Sequence, residues 1–86
     1  MPVLHVVSNP DALDSCLAAA ADGDAVLFVG DGVFAQCRTG RSGIRFGVLE
    51  DDAASRGLAP AAGLAVLTYE GFVEWVASCA KTVTWR

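Results

Sequence analysis

Three cysteines, a single histidine and a cluster of arginines are the side chains of this 86-residue sequence that can do chemistry. Cys16, Cys37 and Cys79 lie far apart, and no pair has the Cys-x-x-Cys spacing of a metal knuckle or a dithiol redox site. A lone thiolate can still attack a sulfur–sulfur bond, so Cys16 poses a choice between sulfur handling and packing as a small apolar residue. Leu13, Cys16, Leu17 and Ala20 recur at helical spacing, which turns the thiol toward a sheet. Asp11 and Asp14 beside it would disfavour the thiolate, and the second helical turn is beyond most of the dipole's reach. Local sequence therefore favours a structural Cys16. Cys37 adjoins Arg38 and is the more electropositive thiol, whereas Cys79 lies on the apolar face of the last helix and reads as core.

His5 sits inside an apolar strand with no second ligand type near it, so a hydrogen-bonded core histidine is expected rather than a metal ligand. Arg38, Arg41 and Arg45 fall within eight residues and are candidates to grip an anion or an acidic partner; a solvated loop is the competing reading. Gly30-Asp31-Gly32 follows a strand but lacks the Gly-x-Gly-x-x-Gly fingerprint and a Walker lysine, and reads as a tight turn. Glu50-Asp51-Asp52 reads as a helix start, not an acid/base pair.

The elements that must position these residues alternate. Strands are expected at 3–7, 25–29, 44–49, 63–69 and 82–85, with helices at 12–21, 33–37, 50–57 and 70–80. Ser8 or Asn9 caps the first helix and Pro10 suits its first turn. Strands with continuous apolar runs, separated by helices, indicate an α/β fold with a parallel sheet covered on both faces. The chain is 53% hydrophobic, more than so short a chain readily hides, and this favours an obligate oligomer. No apolar run is long enough to span a bilayer, and the start lacks a secretory pattern. With an odd cysteine count, a cytoplasmic location is expected. A net charge of −4 argues against direct nucleic-acid binding by this chain.

Five separated pieces occur together in one family: Leu4-His5-Val6-Val7-Ser8 with Pro10, Asp31-Gly32-Val33, Val48-Leu49 leading to Asp51-Asp52 and Arg56-Gly57-Leu58, Tyr69-Glu70-Gly71-Phe72-Val73, and Trp85. In this order, over nearly the whole chain, they resemble the DsrH/TusB family. The resemblance implies one domain over residues 1–86, with a small three-layer DsrEFH-like fold and a five-stranded, mostly parallel sheet. It implies a non-principal subunit of a heterohexamer with DsrE/TusD-like and DsrF/TusC-like partners that passes persulfide sulfur, most commonly toward 2-thiolation of the tRNA wobble uridine. The main carrier cysteine of such complexes belongs to the DsrE/TusD-type partner. Asp14-Ser15-Cys16-Leu17 resembles a first-helix segment that carries a cysteine in some members, which makes Cys16 a candidate auxiliary sulfur acceptor, expected to be partly accessible at a helix–sheet edge. No metal, nucleotide or flavin is implied, and an accessory role is expected rather than an enzyme acting by itself. Two rival readings stay open: a DsrH-type subunit of a sulfur-oxidation carrier, and a stand-alone homo-oligomer without a sulfur role. The sequence departs from the family in a shorter stretch before the third strand, where the arginines cluster, and in Ala53-Ala54 where bulkier apolar residues are expected.

Overall fold

A computed structural model describes residues 2–86. Its sheet has five strands, β1 (Val3–Val7), β2 (Ala25–Phe28), β3 (Arg45–Leu49), β4 (Ala65–Leu67) and β5 (Lys81–Trp85), in the order β4-β3-β2-β1-β5. Every pairing is parallel, with Leu4 opposite Ala25, Val26 opposite Phe46, Gly47 opposite Ala65 and His5 opposite Val83. The central strand β2 and its interior neighbour β1 are almost wholly buried, as their unbroken apolar runs require.

Two cores flank the sheet. On one face, α1 (Leu13–Ala19), α2 (Glu50–Ser55) and two 3₁₀ segments, Pro10–Ala12 and Gly30–Ala35, cover Val7, Val26, Phe28 and Val48. On the other, α3 (Tyr69–Ser78) alone covers Leu4, Val6, Leu27 and Leu67 through Phe72, Trp75 and Cys79. The expectation of two covered faces is therefore met on one side and only partly on the other.

Four of the boundaries that differ from the sequence expectation do so for a local reason. The Asn9 carboxamide accepts from the Asp11 amide at 2.9 Å, so Pro10–Ala12 winds tightly before α1 begins. Past Ala20 the Asp24 carboxylate accepts from the Ala21 amide at 3.0 Å and draws the chain out of the helix. The second helical segment starts three residues early, as a 3₁₀ turn entered through Gly30 at φ +51°. Gly32 in that turn lies against the end of β1: a Cβ there would fall 1.9 Å from the Val7 carbonyl oxygen. Finally, Thr68 Oγ1 accepts from the Gly71 amide at 3.2 Å and caps α3, so Tyr69 is helical rather than the last residue of β4.

Candidate functional site

Cys16 projects from α1 into the core between Leu13, Val26 and Phe28, with 0% exposure. Burial first, and the Asp24 charge second, push its thiol up to about 11. The partial access expected at a helix–sheet edge is thus corrected. α1 presses its 13/16 face onto the sheet, and the flanking Leu17 packs over the same cluster. In this state Cys16 is neither accessible nor ionised, and a sulfur transfer needs both. Cys37 is exposed. Cys79, expected in the core, is only half-buried, because α3 is the sole cover on its face.

In the middle of β1, His5 is held from both sides. Trp85 Nε1–H donates to His5 Nδ1 at 3.1 Å, and His5 Nε2 lies 3.0 Å from Asp24 Oδ2. With Nδ1 accepting, the ring proton sits on Nε2 and donates to the carboxylate. Asp24 also accepts from the amides of Val3 and Ala21, each at 3.0 Å. Burial alone would raise the Asp24 pKa, but these two amides and His5 hold it down to about 2. At the carboxyl end of β1, Ser8 Oγ and the Ser8 amide both donate to the Trp85 carbonyl, at 3.2 and 2.9 Å. Together these bonds tie β5, the last element of the chain, to the first.

A second cluster forms where α/β sheets place their ligands, beyond the carboxyl ends of β2 and β3. The Gly30 amide donates to Asp52 Oδ2 at 2.7 Å. Arg56 Nε donates to Asp31 Oδ1 at 3.0 Å, and its Nη1 donates to the Asp52 carbonyl at 3.1 Å. Gln36, buried nearby in chain terms, clamps the loop after α2 by donating to the Ala59 carbonyl and accepting from the Ala61 amide. The bonds of these clusters run to other parts of the chain, while the Asp31 carboxylate stays largely exposed.

The three arginines are not brought together. Arg38 donates to the Pro10 carbonyl at 2.7 Å. Arg41 donates to the Leu17 carbonyl and lies 3.6 Å from Asp22. Arg45 stacks over the Trp75 ring, 4.4 Å from its centroid, and lines a cleft of about 280 Å³ with Ser78 and Cys79. Their spread follows from the turn at Ser42-Gly43, after which the loop becomes β3 and Arg45, opposite Ala25, joins the α3 face. Among the described residues no three His, Cys, Asp or Glu side chains group as a metal site. Among the described residues no helix is long and apolar enough to cross a membrane.

Sequence reasoning missed the Asp24 hub and the Asp31–Arg56–Asp52 cluster. Asp24 directly precedes β2, and a carboxylate one residue before a buried strand is a costly placement without partners. The second cluster had a visible signal, since Asp31 and Arg56 carry opposite charges in two motifs that each follow a strand.

The family model of DsrH-like proteins matches residues 7–82. The chain belongs to this DsrH/TusB family. No curated protein sequence matches it. DsrH-family chains are subunits of sulfur-relay complexes and work with DsrE- and DsrF-like chains, which gives this fold its functional context. The matched region contains Asp31, Asp52 and Arg56 of the carboxyl-end cluster, while His5 and Trp85 lie just outside it.

Proposed function

We propose that this DsrH-like chain is the non-principal, architectural subunit of a heterohexameric persulfide-transfer complex serving 2-thiolation of the tRNA wobble uridine. In that complex it pairs with DsrE/TusD-like and DsrF/TusC-like chains, and the carrier thiol is the partner's. The observation that carries this reading is how the motif residues are used. Arg56 donates to Asp31 and to the Asp52 carbonyl, Asp52 accepts from Gly30, His5 bonds Trp85 and Asp24, and the first-helix Cys16 is sealed. Such a chain presents a fixed surface with no free reacting atom among these motif residues; its exposed thiol is Cys37. The candidate roles of Arg38, Arg41 and Arg45 divide accordingly: Arg38 and Arg41 brace the loop, and Arg45 is the one that lines a cleft.

Co-expression with DsrE- and DsrF-like partners tests it. The expected result is a stable complex in which Cys16→Ala supports wobble-uridine thiolation at the wild-type level. Loss of thiolation with the complex intact would make Cys16 an auxiliary sulfur acceptor instead. A complex that leaves thiolation unchanged but is required for growth on reduced sulfur would assign the sulfur-oxidation role. Failure to form any complex would leave the stand-alone homo-oligomer.

A further inference from the structure

The chain's single histidine joins strands from its two ends, and its two bonds respond differently to a proton. His5 is 4% exposed, and its neutral ring accepts at Nδ1 and donates at Nε2. The Trp85 indole N–H can only donate, and His5 Nδ1 is its one partner among the described residues. A proton on Nδ1 would set two N–H groups against each other across 3.1 Å, and the Trp85 bond cannot survive that. The opposite bond gains. Nε2 still donates to Asp24, now as a cation facing a carboxylate at 3.0 Å. Imidazole is the side chain suited to taking up a proton between neutral and mildly acidic pH.

The surroundings of His5 leave Asp24 as the group that answers the new charge. On the β2 side His5 meets Val26 and Asp24, whose pKa of about 2 keeps the carboxylate ionised in mild acid. On the β5 side Val83 lies opposite, and Lys81 and Trp85 share its face; Lys81 is exposed. α1 covers the same face with Cys16, which keeps its proton with a pKa of about 11, and carries Asp14, which is exposed. In the loop after α1, Asp22 is exposed and lies 3.6 Å from Arg41.

β5 is the element that feels the loss. It is an edge strand paired only with β1, and only Val83 and Trp85 of its side chains are part-buried. The Trp85 indole packs against the core on the α1 face. The end of the strand has a separate anchor, since the Ser8 amide and hydroxyl both donate to the Trp85 carbonyl. Ring and backbone of Trp85 are thus held by different bonds, and only the ring's bond depends on the protonation of His5. We propose that His5 is a proton-operated latch. Neutral, it fastens the Trp85 indole to the α1 face; protonated, it stays on Asp24 and releases the ring to solvent, with β5 still paired. The latch rests on this network and not on the sulfur-relay reading.

Solution NMR of the full chain from about pH 8 to about pH 5 tests it. The ring protons of the single histidine follow its titration, and the Trp85 indole N–H follows the bond. As His5 takes up its proton, that N–H is expected to lose about tenfold of its protection from solvent exchange, the size of one hydrogen bond, after correction for the intrinsic effect of pH. The backbone amides of β5 are expected to keep their protection over the same range. Trp85→Phe keeps the ring but not the donor that favours neutral His5, so in this variant His5 is expected to protonate at higher pH than in the wild type. Indole protection that persists while His5 titrates, or a His5 that does not titrate in this range, would overturn the latch. So would a loss of protection shared by the whole of β5, or a His5 titration unchanged in Trp85→Phe.

Discussion

Cys16 and Asp24 are both buried ionisable groups, but their surroundings push their pKa values in opposite directions. Cys16 has only apolar neighbours and a nearby carboxylate, so its pKa rises from 9.0 to about 11. A thiol that binds its proton more tightly when folded adds stability below its unfolded pKa, and loses it as the pH rises from about 9 toward 11. Asp24 has two amides and His5, so its pKa falls from 3.8 to about 2. Its contribution is present above the unfolded value and is lost as the pH falls from about 4 to 2. The shift bounds that contribution at about 2 kcal/mol before solvent screening reduces it. Denaturant melts between pH 5 and 2 should show this loss, and Asp24→Asn should flatten the profile while lowering stability at pH 7. A wild-type profile as flat as the variant's would contradict the hub. Native-state alkylation at pH 7.5 gives a second check. Cys37 should label readily and Cys16 only after denaturation, and rapid labelling of Cys16 in the folded chain would contradict its burial.

The elements show why part of this arrangement was legible in the sequence and part was not. β1 and β2 announce themselves because a strand buried on both faces must be apolar throughout. The end of β4 did not, because Thr68 reads equally as a strand residue and as a helix cap, and only the Gly71 amide beneath it decides. Cys16 was read correctly toward the sheet from its 13/16/17/20 spacing, but spacing cannot say how deep a helix presses. The pairing of Asp31 with Arg56 depends on two loops meeting across the ends of β2 and β3, and periodicity within one segment carries no information about that. Gly32 is the sharpest test at this scale. Gly32→Ala puts a methyl against the Val7 carbonyl, with no flexible side chain to give way, and should cost about 3 kcal/mol or more in chemical denaturation. Trp85→Phe keeps the ring's packing but leaves His5 Nδ1 without its donor, and should cost about 1 kcal/mol. A neutral Gly32→Ala would mean that the 3₁₀ segment does not lie where β1 ends.

The whole molecule is lopsided. One face of the sheet is closed by two helices and two 3₁₀ segments, and its thiol is sealed beneath them. The other has a single helix with exposed apolar residues, Tyr69, Val73 and Val76, on its outer flank. A chain built this way suits the architectural role proposed for it. The most direct test is to expose the complex with DsrE- and DsrF-like partners to a persulfide donor and locate the added sulfur by peptide mass mapping. The account predicts sulfur on the DsrE-like partner's cysteine and an unmodified Cys16. Persulfide on Cys16, with transfer to the acceptor abolished in Cys16→Ala, would contradict it.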